Sequence, residues 1–99
     1  MTTFLVTYPL TAGARFDTNY YVAQHMPLVR DSWTRHGLTG ATALIPDEAM
    51  PAYAAVAVLE FVDGAALDAA LASPEAAAVF GDLAAFTDIT PVAVRCAAR

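Results

Sequence analysis

His25 stands in the run Tyr20-Tyr21-Val22-Ala23-Gln24-His25-Met26-Pro27 and is the residue of this chain best suited to moving protons. An imidazole with a pKa near 6.5 both accepts and donates a proton at cellular pH. Tyr21 precedes it by one helical turn, so its hydroxyl can orient the imidazole or meet a ligand on the same face. Tyr20 is rotated by about 100° from Tyr21, which assigns the two rings to different surfaces, one of them a packing surface. Asp82 follows Phe80-Gly81, where helical periodicity fails. A carboxylate there can hold the imidazole of His25 in one tautomer, act as an acid or base itself, or cap the next turn. Asp88 reads as a turn residue and as the weaker alternative carboxylate. The same residues also suit a structural role, with His25 satisfied by local hydrogen bonds and Tyr21 packed in the core.

Other chemistries find less support. His25 and His36 sit about three helical turns apart, and no short His-rich or Cys-rich spacing supplies further ligands, so no metal site is expected. The chain has no Gly-rich dinucleotide fingerprint, no phosphate-cradling Gly-rich loop and no Gly-x-Ser-x-Gly elbow. No cofactor is therefore predicted, although one histidine in an apolar cavity is also compatible with a haem ligand. Cys96 is alone, which precludes an intramolecular disulfide; its terminal apolar run points to a buried thiol and a reducing compartment.

The elements that must position His25 follow from pattern. Phe4 to Tyr8 reads as a strand ended by Pro9, and Pro9 to Gly13 as a turn. Asp17 can cap a helix on which Tyr21, Gln24, His25 and Leu28 share one face. Pro27 removes an amide that would bond to Ala23, predicting a kink or altered turn near His25. Helix then continues from Leu28 to a stop at Gly37. Gly40 to Ile45 is a weaker strand, and Pro46 to Pro51 a loop. Tyr53 to Phe61 is the best strand, with Tyr53, Ala55, Ala57, Leu59 and Phe61 on one face and Ala54, Val56, Val58 and Glu60 on the other. Both faces are mainly apolar, so helices cover one and the other must meet a second sheet or subunit. Asp63-Gly64 opens a helix bearing Leu67 and Leu71. Ser73 is expected to cap a restart at Pro74, with Val79 and Phe80 on its buried side. Gly81 to Asp88 is irregular, and Ile89 to Val94 is a final strand whose Pro91 favours an edge.

Ninety-nine residues make one domain, residues 1–99, and 58% of them are hydrophobic. So short a chain buries only about two-thirds of its unfolded surface, which predicts a homo-oligomer. The net charge is -5, with Arg15, Arg30, Arg35, Arg95 and Arg99 scattered and no lysine. A nucleic-acid partner is therefore not expected. No basic leader and no apolar run of about 20 residues is present, which predicts a cytoplasmic protein without a membrane span.

Strand, helix, strand, strand, helices, strand is the ferredoxin-like α+β plan, a four-stranded antiparallel sheet with helices on one face. At Phe16-Asp-Thr-Asn-Tyr-Tyr-Val-Ala-Gln-His25-Met-Pro-Leu28, Phe80-Gly-Asp82-Leu83 and Phe86-Thr-Asp-Ile-Thr-Pro91, the chain resembles the EthD family of small dimeric α/β-barrel proteins. The resemblance spans nearly the whole chain. It implies a homodimer in which two sheets pair into an α+β barrel, and a pocket to which His25 and Asp82 contribute, with Tyr21 nearby.

The expected function is an enzyme acting on a small apolar or aromatic metabolite by oxidoreductase or monooxygenase-like chemistry. His25 would be the acid or base, Asp82 its orienting carboxylate and Tyr21 a substrate hydrogen-bond donor. Fold analogy does not choose between oxidation and the cofactor-free dehydration or isomerisation of a polyketide-like or lactone-like substrate. A non-catalytic ligand-binding or accessory protein is the competing class.

Overall fold

The computed structural model describes residues 1–99. Strand β1 (Thr2–Pro9) leads to a helical run made of α1 (Thr18–Tyr20), a π turn (Tyr21–His25), α2 (Met26–Trp33) and a 3-10 turn (Thr34–His36). Strands β2 (Leu38–Leu44) and β3 (Tyr53–Phe61) follow, then helices α3 (Gly64–Ala72), α4 (Glu75–Gly81) and α5 (Leu83–Phe86), and strand β4 (Val92–Cys96). The sheet is antiparallel throughout, in the order β2-β3-β1-β4. This is the ferredoxin-like α+β fold.

Alternation along β3 decides which sheet face is covered. Ala55, Ala57, Leu59 and Phe61 are buried under the helices. Their neighbours across the ladder, Phe4, Val6 and Tyr8 on β1, share that face. Burying a side chain such as Phe61, Leu67 or Phe86 contributes about 1.5–3 kcal/mol. The opposite face carries Leu5, Val56, Val58, Leu44, Val92 and Val94. Leu44, Val92 and Val94 are 51%, 57% and 50% exposed, so this apolar face has no cover in the protomer.

The helical run is stopped at Gly37, whose φ of +98° favours glycine. A Cβ there would also lie 2.7 Å from Cβ of Ala66, so Gly37 lets α3 approach the chain reversal closely. Asp17 caps α1 by accepting from the Tyr20 amide, and Asp63 caps α3 by accepting from the Ala66 amide.

Several local expectations are corrected. Ser73 does not cap α4 through its side chain; its hydroxyl donates back to the carbonyl of Ala70 and closes α3 instead. Val79 is buried but Phe80 is 47% exposed, because α4 ends within a turn and Phe80 falls at its rim. Gln24 is exposed rather than on the face of His25, since the π turn inserts extra backbone into the periodicity. The last strand starts at Val92, not Ile89, because Pro91 has no amide for the ladder. Cys96 lies exposed at the end of β4, an edge strand without a cover.

Candidate active site

Pro27 shapes the backbone at the site. With no amide to donate to Ala23, the helix widens, and the amide of Met26 reaches back five residues to the carbonyl of Tyr21. The resulting π turn, Tyr21–His25, carries the tyrosine and histidine at its two ends, and both are buried. Their rings stack 5.8 Å apart and within 18° of parallel. Phe86 packs against both rings, 4.7 Å from the imidazole and 5.3 Å from Tyr21, and Tyr8 and Phe16 pack edge-on against Tyr21.

Asp82 closes the site from the junction of α4 and α5. It could have capped α5, but its side chain makes no such bond. Both carboxylate oxygens turn toward the helical run instead: Oδ2 lies 3.0 Å from Nδ1 of His25, and Oδ1 accepts a 2.8 Å hydrogen bond from the hydroxyl of Tyr20. A carboxylate only accepts, so the proton of the neutral imidazole resides on Nδ1 and Nε2 presents its lone pair. Nε2 makes no hydrogen bond within the chain, and His25 is one of the residues lining the cavity. Burial holds the pKa of His25 below its ordinary value, opposed by the hydrogen bond and negative charge of Asp82. The result is a neutral imidazole in a fixed tautomer.

Tyr20 is the residue that sequence reasoning missed. The rotation between adjacent helical positions does separate the two tyrosines, but the site lies between the surfaces they face. Tyr20 binds the carboxylate from its outer side, while Tyr21 stacks on the imidazole from the core side. The hydrogen bond to Asp82 raises the pKa of Tyr20, so it stays a donor. Tyr21 makes no hydrogen bond to His25; its buried hydroxyl has no partner at all. Burial also raises the pKa of Tyr21, and that of Tyr8 to about 12.

Asp88 takes no part in the site, because its Oδ1 accepts from the amide of Arg15. His36 lies elsewhere, bonded through Nε2 to Glu75 at 3.1 Å.

The cavity beside His25 runs between the helices and the covered sheet face. Twelve of its fourteen lining residues are hydrophobic, among them Phe4, Val6, Leu59 and Val29. Its free space is about 410 Å³ with the solvent at its mouth included, too small a volume to enclose haem. No group of three or more His, Cys, Asp or Glu side chains converges to hold a metal ion. No single helix is long and apolar enough to cross a membrane.

A ferredoxin-like protomer with a buried imidazole–carboxylate pair beside an apolar slot defines the structural class. No family model and no curated protein matches the chain. Among solved structures, an EthD-like protein from Ralstonia eutropha JMP134 is 31% identical, with a TM-score of 0.83 over 96% of this chain and 88% of that one. The chain belongs to the EthD-like family. An EthD family protein from Bacillus halodurans C-125 is 16% identical with a TM-score of 0.78, covering 100% of this chain and 99% of its own. SnoaB, a cofactor-independent oxygenase from Streptomyces nogalater, is 18% identical with a TM-score of 0.77, covering 99% and 92%.

Proposed function

We propose that this protein is a small-molecule enzyme in which His25 Nε2 removes a proton from an apolar or aromatic substrate, initiating an oxygenation without a bound cofactor. The observation that carries this reading is the chain Tyr20–Asp82–His25, which ends on a free imidazole nitrogen beside an apolar slot. Asp82 fixes the tautomer and stabilises the imidazolium formed when the proton arrives. Tyr20 holds Asp82, and the unpartnered hydroxyl of Tyr21 donates to the oxygen on which negative charge develops. The lining of the slot is mainly apolar, and such low-polarity surroundings strengthen each of these interactions.

In such a reaction an activated CH2 group loses a proton to Nε2, and the carbanion passes one electron to dioxygen, after which the radical pair joins through a new C–O bond to give a peroxide anion. The imidazolium returns its proton to that anion, which becomes the hydroperoxide. Loss of water then leaves one oxygen atom as a carbonyl and the other as water, so that CH2 and O2 become C=O and H2O. The likeness in fold to a cofactor-independent oxygenase supports this choice. We further propose that the enzyme is a homodimer paired through the uncovered apolar sheet face.

The test is dioxygen consumption with a panel of aromatic substrates bearing an acidic C–H, using the wild-type protein and His25→Ala. Uptake that depends on His25 supports the reading. Turnover of the same substrate under argon would replace oxygenation by isomerisation or dehydration, and full activity of His25→Ala would remove His25 from the chemistry.

A further inference from the structure

His25 lines the slot but is only 4% exposed, so a ligand reaches it only if a lining side chain moves. The lining residues that meet solvent show where. Phe4 and Val6 on β1, Leu83 on α5 and Pro91 are half-buried, and Phe80 at the end of α4 is 47% exposed. These five mark the mouth of the slot, and Phe80 is the most exposed of them.

The backbone around Phe80 is held from both sides. Glu75, at the start of α4, lies 3.1 Å from Nε2 of His36 and 3.5 Å from the guanidinium of Arg35. Asp82, two residues after Phe80, is held by His25 and Tyr20. Lifting the corner between α4 and α5 as a lid would therefore pull the carboxylate off the imidazole. The ring of Phe80 is under no such restraint. It packs edge-on against Trp33 with centroids 6.0 Å apart, and it turns about its own side-chain bonds without moving backbone. With about half of its surface already in water, it loses correspondingly less hydrophobic stabilisation on swinging out, and is out on the order of a tenth of the time.

Resting on the assignment of this slot as the substrate site, we infer that Phe80 is its gate: the ring turns away from Trp33 and admits a flat apolar group to His25. The Tyr20–Asp82–His25 chain stays assembled while the gate opens. Phe80 is thus a specificity-determining residue that takes no part in proton transfer, because a group wider than the space its ring vacates is refused.

The two histidines of the chain provide an internal comparison. Diethyl pyrocarbonate acylates neutral imidazole, and peptide mass spectrometry gives the rate at each histidine at about pH 7.5, above the ordinary imidazole range. His25 is reached through the mouth of the slot, whereas His36 lies outside it. In Phe80→Ala the rate at His25 is expected to rise about tenfold, the inverse of the open fraction, with His36 unchanged. Phe80→Leu keeps apolar bulk against Trp33 and should give a smaller rise, so a poorly folded alanine variant does not decide the outcome. An unchanged rate at His25 in both variants overturns the inference. A parallel rise at His36 also overturns it, because the bond from His36 to Glu75 reports a loosened α4 rather than an open gate. Neither rate needs turnover: dioxygen uptake independent of His25 would remove the proposed chemistry and leave the gate, and unchanged acylation would remove the gate and leave the chemistry.

Discussion

Asp82 Oδ2 and His25 Nδ1 are 3.0 Å apart although 57 residues separate them in the chain. This contact sets which imidazole nitrogen faces the slot, and hence what the imidazole can do. His25→Ala is expected to lower kcat/KM by about 10²–10⁴-fold, the usual contribution of a general base. Asp82→Asn keeps the shape but releases the tautomer, so a loss of at least about 10²-fold is expected. Because Asp82 also holds up the proton affinity of His25, the acid limb of the pH profile should move to lower pH in Asp82→Asn. A merely structural Asp82 would leave that limb in place.

Tyr20→Phe tests the outer end of the same chain. It removes the 2.8 Å hydrogen bond to Asp82 Oδ1 and leaves the His25 contact on Oδ2. We expect kcat to fall several-fold with little change in KM, since Tyr20 acts through Asp82 rather than on substrate. An unchanged kcat would separate Tyr20 from the site.

How much of this was legible depended on whether a feature was local. Pro27 announced a helix irregularity from its missing amide, and the π turn lies immediately before it. The alternation of Tyr53 to Phe61 announced the two sheet faces, and Gly37 the end of the helical run. Asp82 was readable as a carboxylate able to hold His25, to act as an acid or base itself or to cap the next turn; its choice of His25 over the end of α5 is a tertiary event. Tyr20 was obscured for the same reason, because rotation about a helix says which way a side chain leaves, not what another element brings to meet it. Phe80 read as a buried residue of its helix, since its place at the mouth of the slot depends on what the other elements leave uncovered.

The direction of the His25 shift sets two pH dependences. A base must be neutral, so kcat/KM should rise with pH through the His25 pKa, which burial places below 6.5, and be level at neutral pH and above. For stability, the unfolded imidazole binds protons more readily than the folded one. The contribution of His25 is therefore fully present above about pH 6.5 and is lost as pH falls through the lower folded value. Denaturant unfolding across that range, with His25→Ala as reference, checks the sign. A variant losing as much stability as the wild type on acidification would assign the effect to other groups.

The uncovered sheet face carries the last prediction. Val56 lies mid-sheet on that face, level with Thr7 of β1 and Leu44 of β2. Exposed apolar area of this extent on so small a chain favours burial against a second copy, and a two-fold axis lets each face supply its own partner. Light scattering at low micromolar concentration should give about twice the 10.4 kDa chain mass. Val56→Asp should shift the population to monomer while leaving the protomer folded, because the new carboxylate meets water in the monomer but would be desolvated in the dimer. A wild-type protein that scatters as a monomer, or a Val56→Asp variant that remains dimeric, would assign pairing to another surface or to none.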